Sequence, residues 1–224
     1  MAVINIRGDI VGNDDKWIYD WFDMDATCPR DVTDAINNAA DEEEIEVFIN
    51  SGGGSVMAGQ EMYSVLKQKK NVTVIIQSMA GSAAGVVAMA GKSKISPVAM
   101  IMIHNVSVCG ASGDYHDMQK HAETLKQMNT AMAAAYTEKS GKSLDEILKM
   151  MDRETWLTAN QCLEYGFVDE IMSDNQNQQY VNSYSGMWLT EEIRAKAVKE
   201  KRELENKKNA LLEDLDFRPK GEKQ

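Results

Sequence analysis

The sequence predicts an α/β domain built on a mostly parallel sheet, and three observations carry that reading. Short apolar runs rich in β-branched residues recur, each followed by a stretch with apolar side chains at helical spacing. Glycines and small polar residues separate them, the alternation that right-handed βαβ units require. The run 72–76 then leads into a window in which, between Gly81 and Gly91, only Val86, Val87 and Met89 are larger than serine. A helix of that composition packs almost backbone to backbone on its neighbours.

In chain order, residues 3–6 read as a strand and 31–40 as a helix. Residues 45–49 alternate and are β-branched or aromatic, hence a strand, which three glycines break before a helical pattern over 57–70. Residues 72–76 form the next strand and 82–90 the small-residue helix. After the Ser96-Pro97 turn, 99–104 is an apolar strand ending in His104. A long helical pattern covers 114–140, with Met118, Leu125, Met128, Met132 and Tyr136 recurring on it. Such a stripe marks core or interface, not a cofactor site. Thr158 to Gln161 reads as a capping box opening a short helix that Gly166 ends, and 167–171 as a closing strand. Residues 189–215 read as a charged helix in which opposite charges alternate. Its Leu204, Leu211, Leu212 and Leu215 are too few for a heptad seam.

Three places carry candidate chemistry. Ser82 falls where a strand turns into a helix, the geometry that presents a serine nucleophile with backbone N–H groups beside its hydroxyl. The plainer reading is a core helix with Ser82 bonded back to the preceding turn. The glycines 52–54 let a backbone approach a substrate, and an N–H aimed into a cleft stabilises a tetrahedral oxyanion by roughly 3 kcal/mol. The plainer reading there is a flexible turn. His104 ends a buried strand, where open α/β sheets place their chemistry, although a satisfied core histidine fits as well. His116 and His121 lie five apart on a polar helical stretch, do not stack on one face, and complete no metal-ligand pattern. Cys109 lies near His104 but has no strand-to-helix turn of its own to act as a nucleophile.

Composition excludes several classes. A chain of 224 residues with 43% hydrophobic and 7% aromatic residues has the makings of one soluble core. No apolar stretch approaches 18 residues and no secretory leader is visible, so the expected compartment is the cytoplasm, with no membrane partner. Cys28, Cys109 and Cys162 form no paired motif, which suits a reducing environment. The net charge is −11, and residues 190–224 hold ten basic against nine acidic side chains, leaving 14 basic against 26 acidic in the rest. Without a basic face, nucleic acid is not an expected partner.

Four stretches together carry a family resemblance. They are Asn50-Ser51-Gly52-Gly53-Gly54-Ser55-Val56; Met79-Ala80-Gly81-Ser82 with Gly91 nine residues on; Met102-Ile103-His104; and Trp156-Leu157-Thr158-Ala159 leading to Glu164-Tyr165-Gly166-Phe167-Val168-Asp169. In order and spacing over residues 4–171 they resemble the ClpP family of self-compartmentalised serine peptidases, in particular its phage and prophage members. The family commonly has proline where Gly52 stands.

The resemblance implies a ClpP/crotonase-like spiral of ββα units with a protruding handle helix, here 114–140, that joins two stacked rings, heptamers in the family. It implies a triad with Ser82 as nucleophile and His104 as general base and acid. The column of the family's aspartate holds Glu154, with Asp152 two residues earlier. On an extended segment both would face the same side. Glu154 is the choice for the third member and Asp152 the alternative. The oxyanion donors carry over to the backbone N–H groups of Gly54 and Ala83, alanine standing where the family often has methionine.

No metal or cofactor is implied, and the substrate would be a peptide or protein. The expected organisation is a protease domain over 1–173, a polar linker over 174–188 and a charged tail over 189–224. The phage branch would process capsid or scaffold proteins during head maturation. The chain opens almost at its first strand, which argues against an AAA+ unfoldase partner while leaving unfoldase-assisted cleavage open. Two other readings remain: a catalytically silent ring or scaffold subunit, and a crotonase-type acyl-CoA enzyme working with carboxylates. The Ser82 and His104 pair argues against the latter.

Overall fold

The computed structural model describes residues 1–40, 43–172 and 191–216. The chain divides into two compact units, Met1–Gln179 and Tyr180–Gln224. The expected linker and the segment 217–224 of the expected tail lie outside the described residues.

The first unit runs β1 (Ala2–Ile10), α1 (Lys16–Trp21), β2 (Ala26–Thr27), α2 (Pro29–Asn38), β3 (Ile45–Gly54), α3 (Val56–Lys67), β4 (Val72–Gly81), α4 (Ser82–Ala88), β5 (Lys92–Ile95) and β6 (Met100–Ile103). It continues with α5 (Tyr115–Ser140), α6 (Leu144–Asp152), β7 (Thr155–Thr158), α7 (Ala159–Glu164) and β8 (Glu170–Ile171). The strands join in one eight-stranded sheet of order β2-β1-β3-β4-β5-β8, with β6 also on β4 and β7 beyond it. All pairings are parallel except β6 with β7. The α/β class with a parallel sheet is thus the one the sequence predicts.

β4 organises the molecule. Its first part, Thr73–Ile76, pairs with β5, while its end, Met79–Gly81, pairs with β6. One strand therefore feeds two branches of the sheet and delivers Ser82 at the fork. Val47, Ile49, Val74, Ile76, Ile95 and Ile101 are fully buried. Each such side chain stabilises the fold by about 2 kcal/mol relative to exposure.

The structure extends several expected elements. β3 and β4 continue through their glycines to Gly54 and Gly81, because backbone pairing to Ile10 and to Met102 needs no side chain. α1, β2, β5, α6 and β7 add to the expected elements. α5 spans 26 residues, about 39 Å at 1.5 Å per residue, and its buried residues begin only at Met132. Its earlier turns therefore stand clear of the unit's core. In the second unit α8 (Glu191–Asp216) is helical, as the charge pattern predicts.

The end of α5 is fastened to the sheet by one cation. Lys139 Nζ donates to the Gly91 carbonyl at 2.9 Å and to Asp169 Oδ2 at 2.5 Å. Asp169 Oδ2 also accepts the Ser93 N–H at 2.7 Å. Burial pushes the Asp169 carboxyl upward, but the bonds from Lys139 and Ser93 outweigh it and hold the group below its ordinary range. Such a group stabilises the fold above its ordinary value, near pH 4, and loses that contribution as pH falls through the lowered one. Asp169→Asn is expected to lower the thermal midpoint at neutral pH, with the deficit disappearing as pH falls through the lowered value of the carboxyl. Equal midpoints at neutral pH would show that the contact does not stabilise the fold.

Candidate active site

The site begins with a backbone conformation. Ser82 has φ +51°, a left-handed value that costs a non-glycine residue of order 1–3 kcal/mol unless its surroundings enforce it. Here they do. β4 hydrogen-bonds up to Gly81 and α4 starts at Ser82, with Ala83 to Ala88 all buried. The chain has no room to relax the turn, and the serine hydroxyl is left half-buried at its apex.

The glycine loop presses on that turn. At Gly53, φ +103°, an added Cβ would lie 2.7 Å from both Ser82 Cβ and the Gly81 oxygen and 3.0 Å from the Ala83 nitrogen. Only a residue without a side chain fits. At Gly54 an added Cβ would lie 2.2 Å from the Ile10 oxygen, so β1 closes the other side. Ser51, buried, sets the loop's shape: its Oγ donates to the Gly8 carbonyl at 2.7 Å and accepts the Gly53 N–H at 3.1 Å. The Gly53 amide is therefore committed inside the loop, and Gly54 supplies the next one.

His104 follows β6 directly. Its Nε2 lies 2.7 Å from Ser82 Oγ. With the ring proton on Nδ1, the serine hydroxyl donates to an unprotonated Nε2, the arrangement a general base needs. Of the residues singled out from sequence, the structure brings Ser82 and His104 together, with Ala83 and the glycine loop beside them.

The carboxylates differ from expectation. Asp152 is the last residue of α6, and Glu154 sits at φ +48°, so the segment is not extended and the two do not share a face. Asp152 Oδ1 accepts from Asn105 Nδ2 at 2.8 Å, and Glu154 Oε1 accepts from Trp156 Nε1 at 3.1 Å. Among the described residues, neither carboxylate bonds to His104, whose Nδ1 has no partner. The antiparallel register of β6 and β7 pairs Ile103 with Thr155 and, continued by one step, sets His104 opposite Glu154.

The cysteines stand apart from this chemistry. Cys28 and Cys162 are buried and Cys109 is exposed. Burial pushes the Cys162 thiol up to about 12. Sequence reasoning passed over Ser51 as a shaping group, although it lies inside the glycine motif, and read Tyr136 only as part of an apolar stripe. The structure joins the Tyr136 hydroxyl to the Ser82 carbonyl at 3.1 Å.

Comparison with known proteins gives a consistent result. The chain matches the family described as Clp protease over residues 33–175. It is similar to the ATP-dependent Clp protease proteolytic subunit 2 of Tropheryma whipplei (strain Twist), 36% identical over 143 residues, covering 61% of this chain and 78% of that one. It is similar to the ATP-dependent Clp protease proteolytic subunit of Bacteroides fragilis, 33% identical over 134 residues, covering 58% of this chain and 64% of that protein. The corresponding protein of Streptococcus pneumoniae (strain P1031) is 33% identical over 138 residues, covering 59% and 70%.

The contact at Gly53 generates a prediction. Gly53→Ala is expected to be destabilised by about 1–3 kcal/mol in denaturant titrations, since it adds an overlapping Cβ at a left-handed φ. An unchanged unfolding midpoint would show that the loop does not press on the Ser82 turn.

Proposed function

The chain belongs to the Clp protease family, and from that premise we propose that it is a serine endopeptidase cleaving peptide bonds through an acyl-enzyme on Ser82. The 2.7 Å contact between Ser82 Oγ and His104 Nε2 carries the reading. His104 Nε2 takes the hydroxyl proton as Oγ attacks the scissile carbonyl. The carbonyl oxygen becomes an oxyanion, held by the N–H groups of Gly54 and Ala83. Collapse breaks the C–N bond, and His104 returns the proton to the leaving amine. Water, losing its proton to the same imidazole, then attacks the acyl-enzyme; its collapse releases the acid and restores the Ser82 hydroxyl.

Glu154 is the proposed orienting carboxylate. The strand register supports it, and its carboxylate would exchange the Trp156 indole for His104 Nδ1. Asp152 would have to give up Asn105 to do the same. That both carboxylates are engaged away from His104 is also the one observation that favours a second reading, a catalytically silent ring subunit.

Assembly into rings around a peptide or protein substrate belongs to the same proposal. The exposed early turns of α5, with Tyr115 and Met118 uncovered, support an interface there. The narrower reading, a phage-type protease acting on capsid assembly proteins, is supported by the motif resemblance given above. ATP dependence stands in the names of the relatives and describes those proteins.

Two experiments test the proposal. A fluorophosphonate probe is expected to label Ser82, and Ser82→Ala to lose both labelling and peptide cleavage; cleavage that survives in the variant would refute the nucleophile, and an unlabelled, inactive parent would favour the silent subunit. Glu154→Gln is expected to lower kcat by up to about 10⁴-fold, as loss of a triad carboxylate can, while Asp152→Asn changes it no more than a few-fold. The reverse pattern would give the role to Asp152.

A further inference from the structure

Tyr136 lies near the end of α5, 1% exposed, its ring tilted against Phe167 at 5.9 Å between centroids. A phenylalanine would fill that space equally well, so the hydroxyl marks a polar task in an apolar setting. It donates to the Ser82 carbonyl oxygen at 3.1 Å. The slot that admits it is shaped for it. An added Cβ at Gly85 of α4 would lie 2.8 Å from the Tyr136 oxygen.

The carbonyl that Tyr136 holds belongs to the peptide whose other end is the Ala83 N–H. A trans peptide is planar, with its C=O and N–H pointing in opposite directions. Fixing the carbonyl on the α5 side therefore fixes the amide on the opposite side. This matters because rotation of the Ser82–Ala83 peptide, through ψ of Ser82 and φ of Ala83, would swing the Ala83 amide away while leaving Ser82 at its φ of +51°.

We propose that Tyr136 is a positioning residue for the reaction assigned above, its hydroxyl locking the Ser82–Ala83 peptide so that the Ala83 N–H is aimed at the oxyanion. The inference rests on Ser82 being the nucleophile and on Ala83 being an oxyanion donor. Burial pushes the Tyr136 phenol far above its ordinary range, so the group remains an O–H donor across the working pH. Tyr136 touches neither substrate nor reacting atoms; it acts through a backbone bond, and it brings the helix expected at the ring interface into the alignment of the nucleophile's turn.

The test is Tyr136→Phe in the full chain, with active sites counted by fluorophosphonate titration. Per labelled site, kcat for a short peptide is expected to fall about tenfold, less than the 10²–10³ lost when an oxyanion donor is removed outright. KM is expected to stay unchanged. Affinity for a peptide boronate, whose tetrahedral adduct on Ser82 occupies the oxyanion position, is expected to weaken by a similar factor. A purely structural role would lower the thermal midpoint and the number of labelled sites, yet leave kcat per site and boronate affinity as they were, and that result overturns the proposal. Should Tyr136→Phe fail to fold, Gly85→Ala answers the same question, because its methyl displaces the hydroxyl while retaining the ring; unchanged kcat per site and boronate affinity there overturn the proposal as well. An unlabelled parent protein would sink the nucleophile, and this inference with it. A labelled parent beside an unimpaired Tyr136→Phe variant would sink the inference alone.

Discussion

The structure depends on one constraint: a serine held in a left-handed conformation at the end of a buried strand. That conformation is unfavourable by itself. It persists because three elements from distant parts of the sequence close on it. The glycine loop of β3 lies against Ser82 from one side, His104 meets its hydroxyl, and Tyr136 holds its carbonyl. The glycine loop and Tyr136 act on the backbone of the turn, while His104 meets only the side chain.

The fork of β4 explains how those elements reach a single point. Pairing first with β5 and then with β6, the strand gives β6 a separate course that ends at the serine. β7 then runs back along β6, its register ending with Ile103 opposite Thr155, one residue short of His104 and Glu154. The sheet thus brings Ser82 and His104 together through backbone pairing. Glu154, the proposed orienting carboxylate, accepts from Trp156 instead.

Much of this was legible in the residues. Strands 45–49 and 72–76 could be read because the first alternates buried β-branched residues with less buried ones and the second is a mostly buried β-branched run. Ser82 and His104 could be read because a small-residue window and a strand-ending histidine are uncommon in combination. The continuations of β3 and β4 through glycine were not legible: glycine reads as a break, whereas main-chain pairing leaves no trace in side-chain pattern. β5 is four residues with two exposed lysines, too short to show alternation. α6 did carry a signal, the Ser143 and Glu146 capping box ahead of Ile147, Met150 and Met151 at helical spacing. The shared face proposed for Asp152 and Glu154 fails because α6 ends between them and the chain turns left-handed at a residue that is not glycine. Tyr136 belonged to a visible stripe; a stripe tells which side of a helix is inward, not which oxygen its hydroxyl meets.

The most direct measurement of the central claim is the site of attack by a peptidyl chloromethyl ketone. If Ser82 and His104 share one reaction centre, the serine adds to the ketone and holds the chloromethyl carbon over the imidazole. Peptide mapping is then expected to find a single alkylation, at His104, which becomes much slower in Ser82→Ala. Alkylation at Cys109 instead, or modification of His104 at the same rate without the serine hydroxyl, would contradict the account.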